Sequence, residues 1–424
     1  MLETAFTTES SSIKFGAGVT REIGEDLMRF GLKRILVFID PNLVYTPVAE
    51  TVLHAIKSQG IDAEVFSDIR IEPTDQSFKA AIKVATEGKF DGYVAVGGGS
   101  TMDTAKAANL YSTYPAEFLE YVNAPIGKGK PVPGPLKPLI AVPTTAGTGS
   151  ETTGVAIFDL LEQHLKTGIA HRALRPVLGI IDPDNTRSCP ALVTACSALD
   201  ILSHAIESLT ALPYYQRPAP ENASLRPAYQ GSNPVSDIWS AQAINLVAEF
   251  LPRVLHDNHD DEARGQLLLA ATYAGIGFGN AGVHLPHGMS YPVSGMVRDF
   301  KPADYKVDYP LVPHGMSVIL NAPAVFRFTA LASPQKHLYA ASLLGVDISK
   351  AKNEEAGTIL ADALIEVMKQ TGMPNGLSAI GFREDDIEKL AEGTLPQHRV
   401  TKLSPRPANK EDLIHLFQDA MRYW

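Results

Sequence analysis

The chain has 424 residues, enough for two or three domains and a sizeable core. Its formal charge of −10 argues against a nucleic-acid-binding surface, which normally needs a basic stripe, and two cysteines are too few for a disulfide framework. No apolar run approaches the roughly 18 residues of a bilayer span, and the polar start lacks signal-peptide or presequence character. A cytoplasmic protein without nucleic-acid or membrane partners is therefore expected.

The first part of the chain alternates strand and helix signals. Residues 34–39 form a short run rich in β-branched and aromatic side chains that stops at Asp40-Pro41. Residues 48–59 read as a helix, 63–66 as a strand, and 75–87 as a helix opened by Thr74 or Asp75 and closed before Gly88. A buried strand at 93–96 runs into Gly97-Gly98-Gly99-Ser100 and a helix from 101 to about 111; strands at 139–142, 155–158 and 178–181 follow. This alternation predicts a mostly parallel, Rossmann-like sheet with helices on both faces. After residue 182 helical patterns dominate, at 189–212, 237–255, 261–278, 318–329, 334–344, 354–370, 384–392 and 410–422. The boundary falls near 188, giving an α/β dinucleotide-binding domain over 1–188 and an all-α domain over 189–424.

Two connections are unusually long. Residues 122–138 hold five prolines, with Lys128 and Lys130, and residues 213–234 hold five more, with Arg217 and Arg226. The second is either an arm against a neighbouring subunit or a lid whose arginines clamp a carboxylate. The nucleotide signal lies at Gly97–Ser100, where glycines let backbone approach a diphosphate and the following helix offers free N–H groups. Ser100 as N-cap with Asp103 three residues later resembles a capping box. The spacing does not match G-x-G-x-x-G. A second polar loop, P-T-T-A-G-T-G-S-E at 143–151, supplies the Thr144, Thr145 and Thr148 hydroxyls; two such loops at carboxyl ends of strands strengthen the signal. Asp40 can accept from both ribose hydroxyls of an adenosine, and its charge favours NAD over NADP.

The helix at 189–212 places Asp200 and His204 on one face among apolar neighbours. A buried carboxylate needs a positive partner or several donors, so the pair is either half of a metal site or a hydrogen-bonded structural link. His287 and His314 each precede glycine, where backbone can come close to an ion. With Asp200 and His204 they would make a site of one oxygen and three nitrogens, open to a water or an alcohol oxygen. Each histidine alone reads as a satisfied core residue, and His284 is equally a supporting, proton-relaying or packed group.

The segment G-G-G-S-T-M-D-T-A-K at 97–106, the P-T-T-A-G-T-G-S-E loop, D-x-x-x-H-A-I-E at 200–207, H-G-M at His287 and P-H-G at His314 resemble the iron-containing (group III) alcohol dehydrogenases over nearly the whole chain. A-P-I-G-K-G-K-P at 124–131, R-P-A-Y-Q-G-S-N-P at 226–234 and T-L-P-Q-H-R-V-T-K-L at 394–403 resemble a transhydrogenase branch of that family. The resemblance implies a cleft between the two domains, with Asp200, His204, His287 and His314 as metal ligands at the catalytic centre. It places Gly97, Gly98, Gly99, Ser100, Asp103, Thr144, Thr145, Thr148, Thr153 and Lys166 at the cofactor, with Asp40 at the adenosine ribose. Many members carry a histidine four residues after the first H-G ligand, where this chain has Tyr291. The implied cofactors are NAD and Fe2+, although an Asp and three histidines also hold Zn2+. The implied reaction is metal-assisted hydride transfer in two half-reactions on a retained nicotinamide. A 4-hydroxy acid such as 4-hydroxybutyrate is oxidised to its semialdehyde, and 2-oxoglutarate is reduced to 2-hydroxyglutarate. Both substrates are small carboxylates, and Arg217, Arg226, Lys128 or Lys130 are placed to meet them. A homo-oligomer is expected. The alternatives are an NAD-dependent alcohol dehydrogenase that releases NADH, and a non-catalytic nucleotide-binding protein, which would be expected to have lost ligand positions that are intact here.

Overall fold

The computed structural model describes residues 1–163 and 165–424, with backbone only at Ser224. Strands β1 (Ser12–Phe15), β2 (Arg34–Ile39), β3 (Asp62–Phe66), β4 (Gly92–Gly97), β5 (Leu139–Pro143) and β8 (Leu178–Ile181) form one sheet in the order β1-β8-β5-β4-β2-β3, every neighbour parallel. β6 (Val155–Leu160) and β7 (Leu165–Ala170) form a separate antiparallel hairpin. The expected parallel sheet with covering helices is what the chain adopts.

Alternation along the central strands explains why the sheet is covered twice. Ile35, Val37, Ile39, Val94, Val96, Ile140 and Val142 point to one face, against α1 (Ile23–Arg29) and α2 (Pro47–Ser58). Leu36, Phe38, Tyr93, Ala95, Leu139 and Ala141 point to the other, against α3 (Asp75–Gly88) and α4 (Gly99–Thr113). α3 is opened by Thr74, whose hydroxyl accepts from the Ser77 N–H in a capping box. Three strand readings need correction, one of them the absence of β7 from the predicted strands. The segment at 155–158 belongs to the hairpin and not to the sheet, and β1 was missed because its four residues are mostly exposed and carry no apolar run. β1 covers the sheet edge by pairing with β8.

Beyond β8 the described residues fold into helices. These are α5 (Ala191–Thr210), α6 (Pro234–His256), α7 (Asp261–Ala281), α8 (Leu285–Gly295), α9 (His314–Ile319), α10 (Ala322–Thr329), α11 (Pro334–Leu343), α12 (Ala356–Gln370), α13 (Ile387–Thr394), α14 (His398–Thr401) and α15 (Lys410–Ala420). α5 runs through the middle of their shared core. Contrary to the expectation that no segment could span a bilayer, α5 is long and apolar enough; yet 83% of that window is buried, as befits a core helix. The predicted helix at 318–329 breaks at Leu320-Asn321 into α9 and α10. α8 and α14 went unpredicted, α8 because Pro286, Gly288 and Pro292 fall within it and break the helical pattern.

Basic residues of the two long connections are paired within the protein. Lys128 and Lys130 pair with Glu120, and Arg226 pairs with Glu3 through Nε and Oε2 at 2.9 Å. The connection after α5 folds back onto an N-terminal ribbon. There Thr7 and Gln230 exchange backbone and side-chain hydrogen bonds, and Phe6 meets Tyr214 edge-on. The ribbon also bridges the two parts of the chain. Glu9 accepts from Arg172 and Arg175 through its carboxylate, while its backbone bonds Asn280 of α7 in both directions.

Strand order decides where a ligand can lie. From β2 the chain moves outward to β3, then returns to the opposite side of β2 with β4, so the order reverses between β2 and β4. Ligands of open α/β sheets occupy the crevice outside the carboxyl ends at such a reversal. Asp40 follows β2 there, and Gly97-Gly98-Gly99 joins β4 to α4.

Candidate active site

A cavity of about 480 Å³ opens outside these strand ends and runs down to α5. At its upper end lie Asp40, Gly98, Gly99, Ser100, Thr144, Thr145 and Thr148. The glycines are required by close approach: a Cβ at Gly99 would sit 2.7 Å from Thr148 Cγ2. The N-cap of α4 is Gly98, which offers no side-chain acceptor to the first-turn N–H groups. Ser100 is therefore not the cap that the sequence suggested, and Asp103 closes no capping box. Ser100 Oγ accepts from the Glu72 N–H, and Asp103 accepts from Ser150 Oγ at 2.8 Å and Ile157 N at 2.9 Å. Asp40 Oδ1 accepts from the backbone of Asn42, which fixes its carboxylate. Asp103 and Thr153 line the middle of the cavity; Gly97 and Lys166 do not reach it.

Lys166 lies behind the wall. Its ammonium, fully buried, is 2.8 Å from Glu72 Oε2 and 3.0 Å from Asp159 Oδ1. Burial lowers its hold on the proton, but the two carboxylates outweigh burial and keep the charge. Glu72, which the sequence reading missed, faces the cavity from a backbone with φ of 54°, an uncommon conformation for a non-glycine residue. Lys106 is buried as well; it donates to Ser150 Oγ and the Val155 carbonyl, and burial pulls it down to about 8.

At the lower end, α5 carries Asp200, His204 and Glu207 at positions i, i+4 and i+7, all on one buried face. α9 is pressed against it: a Cβ at Gly315 would stand 2.0 Å from the Cys196 carbonyl oxygen and 2.9 Å from Asp200 Cβ. Only glycine permits this approach, which delivers His314 to Asp200. Gly288 instead faces Thr401, 3.0 Å from its Cγ2. Both glycines thus serve packing against protein, not the approach to an ion that the sequence suggested.

Ligand atoms of Asp200, His204, His287 and His314 all lie within 4.8 Å of one another. Asp200 Oδ2 is 3.7 Å from His204 Nδ1, and Oδ1 is 3.8 and 3.9 Å from Nε2 of His287 and His314. These separations exceed hydrogen bonds and approach the roughly 3.4 Å between donors around a tetrahedral ion at ~2.1 Å. Asp200 Oδ1, His204 Nδ1 and His287 Nε2 are buried without a hydrogen-bond partner. A satisfied core histidine looks different, and buried polar atoms left unpaired at one point suit a cation. Burial, with Glu72 adding to it, pushes the Asp200 carboxyl well up; burial pushes all three imidazoles down, into the neutral form that binds metals. Glu207 supports the cluster. Its Oε1 accepts from His287 Nδ1 at 2.6 Å and its Oε2 from the His284 N–H at 2.6 Å, so the His287 Nε2 lone pair faces Asp200. His204 stacks on Phe278 with centroids 3.9 Å apart. His284 is a packed residue: its Nε2 meets Thr210 Oγ1, its ring abuts Phe326, and burial holds it near 3.

The proposed carboxylate clamps are elsewhere, since none of Arg217, Arg226, Lys128 and Lys130 lines the cavity. Tyr229, Tyr291, Tyr305 and Arg399 do line it. Tyr291 was singled out in the sequence as the position where the family pattern departs, and Tyr229 and Arg399 lie in the segments that resemble the transhydrogenase branch, but none of the four was assigned to the cavity.

A model of iron-containing alcohol dehydrogenases matches residues 10–183, and one of the C-terminal region of the Fe-containing alcohol dehydrogenase family matches residues 228–421. The chain is 55% identical to mitochondrial hydroxyacid-oxoacid transhydrogenase of Mus musculus, over 99% of this chain and 91% of that protein. It is 54% identical to the Homo sapiens protein of the same name, over 99% and 90%. The structure also superposes on 1,3-propanediol oxidoreductase with a TM-score of 0.85 at 26% identity, over 98% of this chain and 100% of that one. The cytoplasmic expectation is overturned: both relatives are named as mitochondrial, which points to the mitochondrion.

Proposed function

Since the chain belongs to the iron-containing alcohol dehydrogenase family and is an oxidoreductase, we propose that it acts as a hydroxyacid–oxoacid transhydrogenase. It passes hydride from 4-hydroxybutyrate to 2-oxoglutarate through NAD held in the cavity. The observation that carries the reading is one continuous cavity with two ends. At one end a glycine turn, threonine hydroxyls and Asp40 suit a dinucleotide; at the other, three unpaired buried ligand atoms suit a divalent ion.

In this reading Asp200, His204, His287 and His314 hold Fe2+, and Zn2+ fits the same donors. When bound, the ion supplies Lewis-acid polarisation of a substrate oxygen, and the nicotinamide supplies a hydride acceptor and donor. The protein's own part is positional. Glu207 keeps the proton on His287 Nδ1, so Nε2 stays a lone-pair donor. Gly98, Gly99 and the α4 N-terminus seat the diphosphate, and Thr144, Thr145, Thr148 and Thr153 line its path. Asp40 takes the ribose hydroxyls and disfavours a 2′-phosphate. Phe278, Val283, Tyr229 and Tyr291 wall the reacting end and exclude water. The division near residue 188 then separates the cofactor-binding part from the part supplying the ion's ligands, with self-association expected as before.

The test is a rapid-mixing experiment on the purified enzyme. Addition of 4-hydroxybutyrate should produce the absorbance of bound NADH without added NAD, and 2-oxoglutarate should discharge it. Steady turnover that requires free NAD, with NADH released to solution, would replace this reading with a simple alcohol dehydrogenase.

A further inference from the structure

Arg399, on α14, is a cation placed beside the reacting end of the cavity with no anion to meet it. Its Nη2 donates to Tyr291 Oη at 2.5 Å, and the guanidinium lies against the Tyr229 ring, 5.1 Å from the centroid. The polar side chains that bond it are these two phenols. Its Nη1 is buried and has no hydrogen-bond partner, and among the described residues no carboxylate forms an ion pair with it. A guanidinium presents five N–H donors in a planar fork, and leaving one buried and unpaired costs free energy that an anionic ligand would recover. Surface arginines of this chain show the contrast: Arg187, Arg253 and Arg298 each meet a carboxylate at 2.6 to 2.9 Å.

Its distance from the ion site is set by one helix. His287 and Tyr291 are four residues apart on α8, so the group that holds Arg399 stands about one helical turn, roughly 5.4 Å, from the His287 ring position. We propose that Arg399, positioned by Tyr291, binds the carboxylate common to both substrates and so fixes the distance from acid group to reacting carbon. This rests on the transhydrogenase reading above. In 4-hydroxybutyrate the hydroxyl is on the carbon γ to the carboxyl. In 2-oxoglutarate the oxo group is likewise on the carbon γ to the C5 carboxyl. One anchor and one ion therefore present both reacting carbons at the same place, which two half-reactions on one nicotinamide require. The same arrangement explains why Tyr291 occupies this position: a phenol oxygen accepts from the guanidinium and holds the fork in the cavity without neutralising it.

The test compares 4-hydroxybutyrate with 1,4-butanediol, which keeps the chain length and replaces the carboxylate by an uncharged group. In Arg399→Gln, kcat/KM for 4-hydroxybutyrate should fall roughly 100-fold, mostly through KM, as for a lost charged contact made equally in ground and transition states. Turnover of 1,4-butanediol should change less than about threefold, and Arg399→Lys should recover part of the acid's rate. Because the readout is a ratio within one preparation, a partly unfolded variant still reports. Equal losses for both substrates, or no loss for the acid, would overturn the proposal. A second arm needs no turnover: glutarate should raise the melting temperature of the wild-type enzyme and not that of Arg399→Gln. If the wild type fails to transfer hydride between the two acids yet glutarate stabilises it only when Arg399 is present, the transhydrogenase reading falls and the anion subsite stands. Equal stabilisation of both proteins by glutarate removes the subsite.

Discussion

Gly315 and Gly288 each follow a proposed ligand histidine, and the structure predicts that replacing them by alanine has very different effects. A Cβ at Gly315 would stand 2.0 Å from the Cys196 carbonyl oxygen, where ordinary contact begins near 3.4 Å, so about 1.4 Å must be found. That oxygen belongs to the interior of α5 and cannot turn aside, so α9 must retreat. Metal–ligand distances tolerate only about ±0.2 Å, and a retreat of this size removes His314 from the set. Gly315→Ala should therefore lower metal affinity at least ~100-fold and cost about 1–3 kcal/mol of stability through overpacking. At Gly288 the added atom meets side chains alone, Thr401 Cγ2 at 3.0 Å and Val400 Cγ2 at 3.4 Å, and no backbone. Gly288→Ala should bind metal within about threefold of wild type, because a rotamer change relieves the contact. Metal content after dialysis and competition against a chromophoric chelator give the affinities, and circular dichroism confirms that both variants remain helical. Wild-type affinity in Gly315→Ala would refute the argument that α9 is held to α5 by that glycine.

Three further outcomes follow from buried charges. Glu207→Gln keeps the shape of the side chain but weakens its hold on His287, and should lower metal affinity about 10–100-fold in the same competition assay; an unchanged value would remove Glu207 from the site. Lys166→Met leaves Glu72 and Asp159 without their cation and should destabilise the protein by about 3–5 kcal/mol in urea, whereas an unaltered midpoint would mean that the pair is compensated elsewhere. His337, fully buried with Nδ1 bonded to the Ser333 carbonyl, is lowered by burial from 6.5 to about 4. The unfolded chain binds this proton first, so stability present above pH 6.5 is lost as the pH falls through 4, with about 2 kcal/mol gone at pH 5. His337→Phe should not show this loss between pH 8 and pH 5; an identical acid slope in both proteins would contradict the assignment.

Much of the site is legible along the chain because its spacing reports geometry directly. Asp200 and His204 are four apart on a helix, and Gly97–Ser100 joins a buried strand to a helix, so local pattern places each. Glu207 was within reach of the same reasoning, three residues beyond His204 on the same face. What local pattern does not carry is which distant segments meet. Arg399 sits in a four-residue helix near the end of the chain, and its neighbours Tyr229 and Tyr291 come from a loop and from α8. The four basic residues favoured from sequence lie near the cleft in the chain, yet they were captured by Glu120 and Glu3 or left outside the cavity. The fold shows the same division. Central strands announce themselves by unbroken apolar runs, while β1 needs its partner β8, more than 160 residues away, to be a strand at all.

The N-terminal ribbon has an effect that reaches the cofactor without touching it. Glu9 and Thr7 are tied on one side to Arg172 and Arg175 and on the other to Gln230 and Asn280, so the ribbon laces together the two walls between which the cavity opens. Those bonds oppose a widening of the cleft on that side. Deleting residues 1–9, none of which lines the cavity, should accordingly speed the exchange of bound NADH for free nucleotide, read by the decay of its fluorescence in a chase. On the transhydrogenase reading, a strip of chain outside the cavity would then set in part how long the electron carrier is kept.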